Sequence, residues 1–545
     1  MKILLTAVNA KYIHSNLAVY SIRANAKEYR DQIELGEYTI NQYVEDILQD
    51  IYKKKPDLIA FSCYIWNIRH IRELVRELRK VLPNVPIWLG GPEASYDAKG
   101  LLEKYPEVTG VLVGEGEESF YELCRYYDGK RESLEEVRGL CFRDIQRKTW
   151  ISKSDMANKD AVPEKGEVSH TVTEYTREKS SDLTRRSVAR NESEESLSKV
   201  KQKLVETGFA LIKDLSSLAF AYEDFNDFAH KIIYYESSRG CPFSCSYCLS
   251  SIDKSVRFRD LELVRKELQT FIDAKVPQVK FVDRTFNCKA SHAMAIWQFL
   301  QEHDNGVTNF HFEVAADLIT EEMLALFAKM RKGLIQLEIG VQSTNEDTIC
   351  EIRRKMDFEK VAELVTKVKN MGNIHQHLDL IAGLPNEDYK SFGKSFDAVF
   401  ALRPEQLQLG FLKVLKGSYM YENREAYGLV YRSEPPYEVL STNWVTYDEM
   451  IHLKGIEQIV ELYYNSHQYD RTLESVFEGE TSAFGFFESL ADDYREKGHH
   501  MVNHSRKEKY YILKDFLDRR YPEKSEYYWE LLKEEFNSRE VRKIK

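Results

Sequence analysis

Read for hydrophobic and polar positions, the chain changes period along its length. Over residues 1–150, short apolar runs alternate with helical patterns. Ile3–Val8, Asp57–Ser62, Val85–Pro92 and Gly110–Glu117 are predicted strands, the last two ending in glycine-rich turns. Leu17–Tyr29 and Ile68–Val81 carry apolar residues at helical spacing, the second with a charged outer face. Strands alternating with helices predict βαβ units and a parallel sheet. Over 151–205 the large apolar residues thin out, and Lys, Glu, Ser, Thr and Asn dominate. Such a stretch buries too little apolar surface to offset its ordering entropy, which predicts a charged, flexible linker. Strand and helix alternate again from Lys231. Predicted strands are Ile232–Glu236, Gln278–Asp283, Asn309–Ala315, Ile335–Val341, His375–Ala382 and Gln406–Val414, separated by helices such as Leu261–Ala274 and Phe358–Met371. Six βα units fit a partial barrel. Tyr447–Tyr464 and Tyr510–Leu517 then read as helices. The fold class is α/β, with an α/β domain at 1–150, the linker, a barrel with its lead-in at 206–415 and a helical domain at 416–545.

Composition changes this picture little. Hydrophobic residues make up 43% and charged residues 30% of the 545 positions, as in an ordinary water-soluble chain. The formal charge of −11 gives no general nucleic-acid-binding face, so nucleic acid is not an expected partner. No apolar run reaches the roughly 18 residues of a membrane span, and the apolar run at Met1 is too short for a signal peptide. Eight scattered cysteines then fit a reducing cytoplasm.

The chemistry gathers at Ser237-Ser238-Arg239-Gly240-Cys241-Pro242-Phe243-Ser244-Cys245-Ser246-Tyr247-Cys248. A strand ending in Arg-Gly-Cys-Pro feeds a tight loop that can aim three thiolates at one spot. A structural zinc site needs a fourth ligand, and no Cys or His follows closely; an odd set of thiols has no reason to pair as disulfides. Ligand counting favours an iron–sulfur cluster with one iron left open.

The spacing C-x3-C-x2-C, with Tyr247 before the last cysteine, resembles the radical S-adenosylmethionine (SAM) superfamily. That resemblance implies that Cys241, Cys245 and Cys248 hold a [4Fe–4S] cluster whose open iron binds SAM. It places Tyr247 beside the adenine. It also implies an external reductant of the flavodoxin or ferredoxin kind. Standing before such a motif, residues 1–150 resemble the Rossmann-like cobalamin-binding domain of the B12-dependent radical SAM class. Gly90-Gly91-Pro92 and Gly114-Glu115-Gly116-Glu117 match its strand-end motifs, although ordinary turns explain them equally well. Ser62 and Tyr64 would lie near the corrin, or in the core. The D-x-H-x-x-G motif of other B12 proteins is absent, so the expected cobalamin has no histidine ligand; His14 lacks the surrounding pattern.

Charged residues inside apolar strands are costly to bury without partners. Asp283, Glu338 and Asp379 are therefore candidate catalytic groups, unless they close salt bridges with arginines such as Arg353 and Arg354. By the resemblance, Glu313, Gln342 and Ser343 contact SAM, Arg353 pairs with its carboxylate and Gly383 lines the adenine site. The Gly-Gly-Glu motif common after the second strand is missing; Phe281-Val282-Asp283 stands there. The expected activity is reductive SAM cleavage, with cobalamin-borne methyl transfer to an unknown substrate or its rearrangement. A cobalamin-independent enzyme and a non-catalytic corrinoid or iron–sulfur sensor are the alternatives.

Overall fold

The computed structural model describes residues 1–144 and 203–543. The first sheet has seven strands in the order β2-β1-β3-β4-β5-β6-β7: β1 (Ile3–Asn9), β2 (Ile33–Thr39), β3 (Leu58–Ser62), β4 (Ile87–Gly90), β5 (Gly110–Leu112), β6 (Leu140–Arg143) and β7 (Leu204–Glu206). The first five are parallel and the last two antiparallel. Every residue of β1 and β3 is buried, because helices cover both faces. Ile47, Ile51, Ile71 and Leu74 from Val44–Lys54 and Ile68–Val81 fill one face. Val19, Phe120 and Leu123 from Leu17–Ala24 and Gly116–Tyr127 fill the other.

β2 is absent from the sequence reading. It is an edge strand whose Glu34 and Glu37 are half-buried, which hides its period. The linker expected over 151–205 lies, up to residue 202, outside the described residues. Its end is not linker: Leu204 and Val205 pack on the two faces of the first sheet, and β7 pairs with β6.

The second sheet is a six-stranded, all-parallel open barrel. Its strands, first to sixth, are Ile233–Tyr235, Gln278–Phe281, Asn309–Val314, Ile335–Gln342, His375–Ala382 and Gln406–Phe411, neighbours in that order. This agrees with the predicted (βα)6 arrangement to within a few residues at each end. The strands alternate, with Gln376 a polar exception on the covered face, where it donates to the Val365 carbonyl. Apolar side chains such as Val279, Phe310, Phe312, Leu337, Ile339, Leu378 and Leu407 face the covering helices and are buried. Between them stand Lys280, His311, Glu313, Gln336, Glu338, His377, Asp379, Gln406 and Gln408, so the lumen is polar.

The C-terminal helices continue the barrel's core. Ala483–Glu496 packs on the barrel helix Tyr389–Ala401, where Phe484 meets Phe396 at 5.6 Å and Phe487 meets Phe400 at 5.6 Å. Asp397 accepts from Ser482 Oγ and the Phe484 amide at 2.7 Å each, capping that helix onto the barrel. Among the described residues no helix is long and apolar enough to cross a membrane.

Two strand-end glycines are required by their own backbone. Gly91 (φ +92°) would place a Cβ 2.5 Å from the Cys63 carbonyl oxygen, and Gly114 (φ +94°) one 2.4 Å from that of Ala210. Gly91→Ala is expected to cost roughly 1–3 kcal/mol in urea unfolding, whereas an alanine at Gly90, in ordinary contact with Leu112, should cost under about 1 kcal/mol.

Candidate functional site

The cysteine loop leaves the first barrel strand at the carboxyl-end mouth of the barrel. Gly240 (φ +102°) makes the turn, and any Cβ there would lie 2.5 Å from the Ser255 carbonyl oxygen. Cys241 and Cys245 are buried and Cys248 is half-buried, all three as free thiols. The loop is held from below by Asp283. Its carboxylate accepts the Ser237 amide at 2.9 Å and the hydroxyls of Ser237 and Ser238 at 2.7 and 2.5 Å. From one side, the Ser246 amide donates to the Ile352 carbonyl at 2.9 Å, and the Met420 amide to that of Ser246 at 2.8 Å.

The first domain grips the same loop. Arg239, next to Gly240, pairs with Glu236 at 2.7 Å, Glu117 at 3.0 Å and Glu115 at 3.4 Å. Arg257, from the strand that pairs with Ser238–Arg239, meets Glu115 at 2.8 Å. Glu117 is buried; that alone would raise its pKa, but Arg239 outweighs it and keeps the carboxylate ionised below its usual range. Two carboxylates at the end of β5 are thus tied to the residues flanking the first cysteine.

Below the loop lies a cavity of about 140 Å³. Phe243, Arg284, Glu313, Glu338, Gln342, Arg354 and Asp379 are among its walls. A β-bulge between Gly340 and Gln342 puts Gln342 at φ +73°. Gly340 leaves the space its side chain needs: a Cβ there would lie 2.2 Å from Gln342 Nε2. Gln342 Oε1 and Arg354 Nε are buried without hydrogen-bond partners. Arg354 otherwise reaches the Gly340 carbonyl and lies 3.8 Å from Cys245 Sγ. Burial raises the Tyr247 pKa, with Arg354 and Cys245 as its charged neighbours.

Deeper in the lumen the charges couple. Glu338 Oε2 meets Lys280 Nζ at 2.8 Å and His311 Nε2 at 2.9 Å. Burial alone would raise the Glu338 pKa, but His311 and Lys280 pull it well below the carboxylate range. Burial, Glu338 and Glu313 raise Asp379 well above that range. Burial also lifts Glu313 to about 6 and drops His377 to about 4.

The predicted residues therefore separate. Glu313, Glu338, Gln342 and Asp379 meet at the cavity beside Cys241, Cys245, Cys248 and Tyr247. Asp283 does not line it; fully buried, it holds the loop's backbone rather than serving as a catalytic group. Ser343 faces away, donating to Glu387 at 2.6 Å in a buried network with Ser395. Arg353 is exposed and stacks on Tyr419 at 3.6 Å; its left-handed φ of +57° turns the next residue, Arg354, inward in its place. Gly383 packs against Val439, not the cavity. Ser62, Gly90, Gly91 and Pro92 lie at the carboxyl edge of the first sheet, and Tyr64 there stacks on Trp66 at 4.3 Å. Of the next turn, Glu115 is bound in the clamp described above, while Gly114 is held against Ala210 and Gly116 adjoins Ile22 of the first domain. Arg284, Lys280, His311, His377 and Arg354 are absent from the sequence-based site. The alternation in Val279-Lys280-Phe281, Phe310-His311-Phe312 and His377-Leu378-Asp379 is the signal that marks three of them; Arg284 and Arg354 lie in loops and carry none.

A doubly covered α/β sheet followed by an open barrel, with three thiols at its mouth, defines a two-sheet α/β protein whose candidate chemistry gathers at the barrel mouth. The sequence comparisons agree. Residues 3–124 match the B12 binding domain, 235–399 the radical SAM superfamily, and 425–543 a protein family of unknown function (DUF4080). The chain thus carries a region similar to the B12 binding domain followed by one similar to the radical SAM superfamily. It is 24% identical over 473 residues to the cobalamin-dependent radical SAM methyltransferase TokK of Streptomyces tokunonensis, covering 80% of this chain and 61% of TokK. It thus spans about three fifths of the length of the curated relatives it matches. Two solved structures share the fold. The radical SAM methyltransferase TsrM of Kitasatospora setae superposes with a TM-score of 0.55 at 16% identity, over 79% of this chain and 76% of that one. The cobalamin-dependent radical enzyme OxsB gives 0.59 at 13% identity, over 100% and 80%.

Two outcomes follow from this geometry. Glu117→Gln removes one buried partner of Arg239 and is expected to lower stability by roughly 3 kcal/mol and to reduce the iron retained after anaerobic reconstitution, read by urea unfolding and iron assay. The second concerns Glu387, whose carboxyl burial raises from 4.5 to about 7. A raised folded pKa means the native state binds the proton more tightly, so stability falls as pH rises from 4.5 to about 7. In Glu387→Gln this part of the slope should vanish from the pH dependence of unfolding.

Proposed function

We propose that this chain is a radical SAM enzyme that uses cobalamin to methylate a polar substrate. The observation that carries the reading is the juxtaposition of three free thiols on one braced loop with a cavity holding unpartnered Gln342 Oε1 and Arg354 Nε. Those orphaned atoms call for a polar ligand. Cys241, Cys245 and Cys248 would hold a [4Fe–4S] cluster, and Asp283, Arg239 and Ile352 fix their loop. SAM carries a carboxylate, an ammonium and ribose hydroxyls. Arg284 or Arg354 suits the first, and Glu313 and Gln342 suit the others. Tyr247 gives the loop a flat face beside Cys245.

The first sheet supports a corrinoid at its carboxyl edge, where Ser62, Tyr64, Gly90 and Pro92 lie. Asn16, which begins the helix after β1, has a buried side-chain oxygen without a partner. When bound, the cluster supplies the electron that cleaves SAM, and cobalamin supplies a transferable methyl group. The protein's part is to orient these groups and exclude water. The named relatives include methyltransferases, which favours methyl transfer over rearrangement. The polar lumen favours a substrate with several hydrogen-bonding groups over a hydrocarbon. Eight free cysteines suit a reducing cytoplasm, where a flavodoxin or ferredoxin would be the reductant.

The test is anaerobic reconstitution with iron, sulfide and hydroxocobalamin, followed by SAM and dithionite. Wild type should form 5′-deoxyadenosine and retain corrinoid; Cys245→Ala should lose the first and keep the second. A loaded wild-type cluster that leaves SAM intact would overturn the reading, and failure to retain corrinoid would remove the cobalamin from it.

A further inference from the structure

The buried group at the base of the lumen has the composition of a metal site. Glu338 and His377 are neighbours on the fourth and fifth barrel strands, and Asp379 follows His377 by two, so all three point inward. One ligand atom from each lies within 4.8 Å of the others, close to what an ion with bonds of about 2 Å would gather. His377 is 7% exposed. Its Nε2 stands 3.1 Å from Asp379 Oδ1, yet off the hydrogen-bonding direction, and neither atom has a hydrogen-bond partner. An imidazole nitrogen buried without a partner, beside a carboxylate oxygen equally without one, is what a missing ion leaves behind. His311, also 7% exposed, brings its Nε2 to 2.9 Å from Glu338 in the same group.

We propose that Glu338, His377 and Asp379 bind one divalent first-row transition-metal ion at the base of the barrel, with His311 orienting the Glu338 carboxylate from beside it. Imidazole and carboxylate donors suit Zn²⁺ or Fe²⁺ rather than Ca²⁺. Lys280 pairs with Glu338 Oε2, the oxygen that His311 also meets, so one cation and one imidazole share a single carboxylate oxygen. Glu338 and Asp379 line the cavity while His377 closes the group from behind. The open coordination position therefore faces the cavity, where an oxygen ligand of the substrate, a carboxylate or a hydroxyl, can complete it. The site is separate from the cysteine loop and does not depend on a cluster being present there.

Co²⁺ is the probe, because thiolate ligation gives an intense charge-transfer absorption that nitrogen and oxygen donors do not. The full chain carrying Cys241→Ala, Cys245→Ala and Cys248→Ala would be titrated anaerobically with Co²⁺, and Zn²⁺ then used to compete. The expected result is one equivalent bound without thiolate charge transfer, displaced by Zn²⁺. Adding His377→Gln should weaken binding at least tenfold, and His311→Gln less, with thermal unfolding followed by circular dichroism to show that each variant folds. A folded triple-cysteine variant that binds no Co²⁺, or a folded His377→Gln that binds it as tightly, would overturn the proposal. In the first case the group is a proton-sharing network closed by Lys280. Because the cysteine loop is inactivated throughout, the outcome is independent of whether SAM is cleaved.

Discussion

Charged side chains on the inner face of a closed sheet carry a desolvation cost that only partners can offset. The barrel is arranged around that constraint. Its outer face is apolar apart from Gln376 and sealed by helices, so each strand turns every second side chain inward, and here those side chains include Lys280, His311, Glu313, Glu338, His377 and Asp379. Part of the cost is met inside the row: Lys280 and His311 hold Glu338 ionised. Part is not, and Asp379 is left with its pKa well raised by burial and by Glu338 and Glu313. A fold selected only for stability would fill such a lumen with aliphatic layers, as closed barrels do. The polar lumen is therefore a functional commitment.

The same economy governs the mouth. The cysteine loop has almost no regular hydrogen bonding of its own, so its geometry is imposed from three directions: Asp283 on the next strand, Ile352 and Met420 on later connections, and Glu115 and Glu117 of the first domain. That last contact makes the two α/β units one machine. β5 ends in a helix whose first turn carries Glu117, and its buried carboxylate reaches Arg239 rather than solvent. The loops after the sixth barrel strand add a further brace. Tyr437 donates to Glu93 at 2.9 Å, beside the strand-end Gly91-Pro92, while Gly417 packs on Tyr96. The segment that leaves the barrel thus bridges back to the first sheet across the mouth.

Much of this architecture is legible in the amino-acid pattern. The parallel strands β1, β3, β4 and β5 are near-continuous apolar runs, and the six barrel strands are bounded by clear helical periods. The three cysteines declare themselves by spacing alone. What stays hidden depends on contacts between segments distant in sequence. Asp283 and Ser343 look like site residues because polar groups at strand ends usually are; only the fold shows that one satisfies a loop backbone and the other a buried serine network. Arg353 and Arg354 are indistinguishable in the chain, and a left-handed turn decides which enters the cavity. Glycines at the end of β5 suggest room for a ligand, yet Gly114 is held against the Ala210 backbone.

The lumen shows where a finer reading of the sequence would have reached further. A buried parallel strand covered on both faces has no reason to alternate. β1 and β3 do not; Ile335–Gln342 does along its length, and His375–Ala382 does from His377 to Leu380. That difference separates a doubly covered sheet from one whose second face encloses a polar cavity. It also places His377 and Asp379 on the same face as Glu338 by pattern alone. The two sheets of this protein thus state different purposes in the same alphabet: the first is built to be buried, and the second to present chemistry to whatever enters between them.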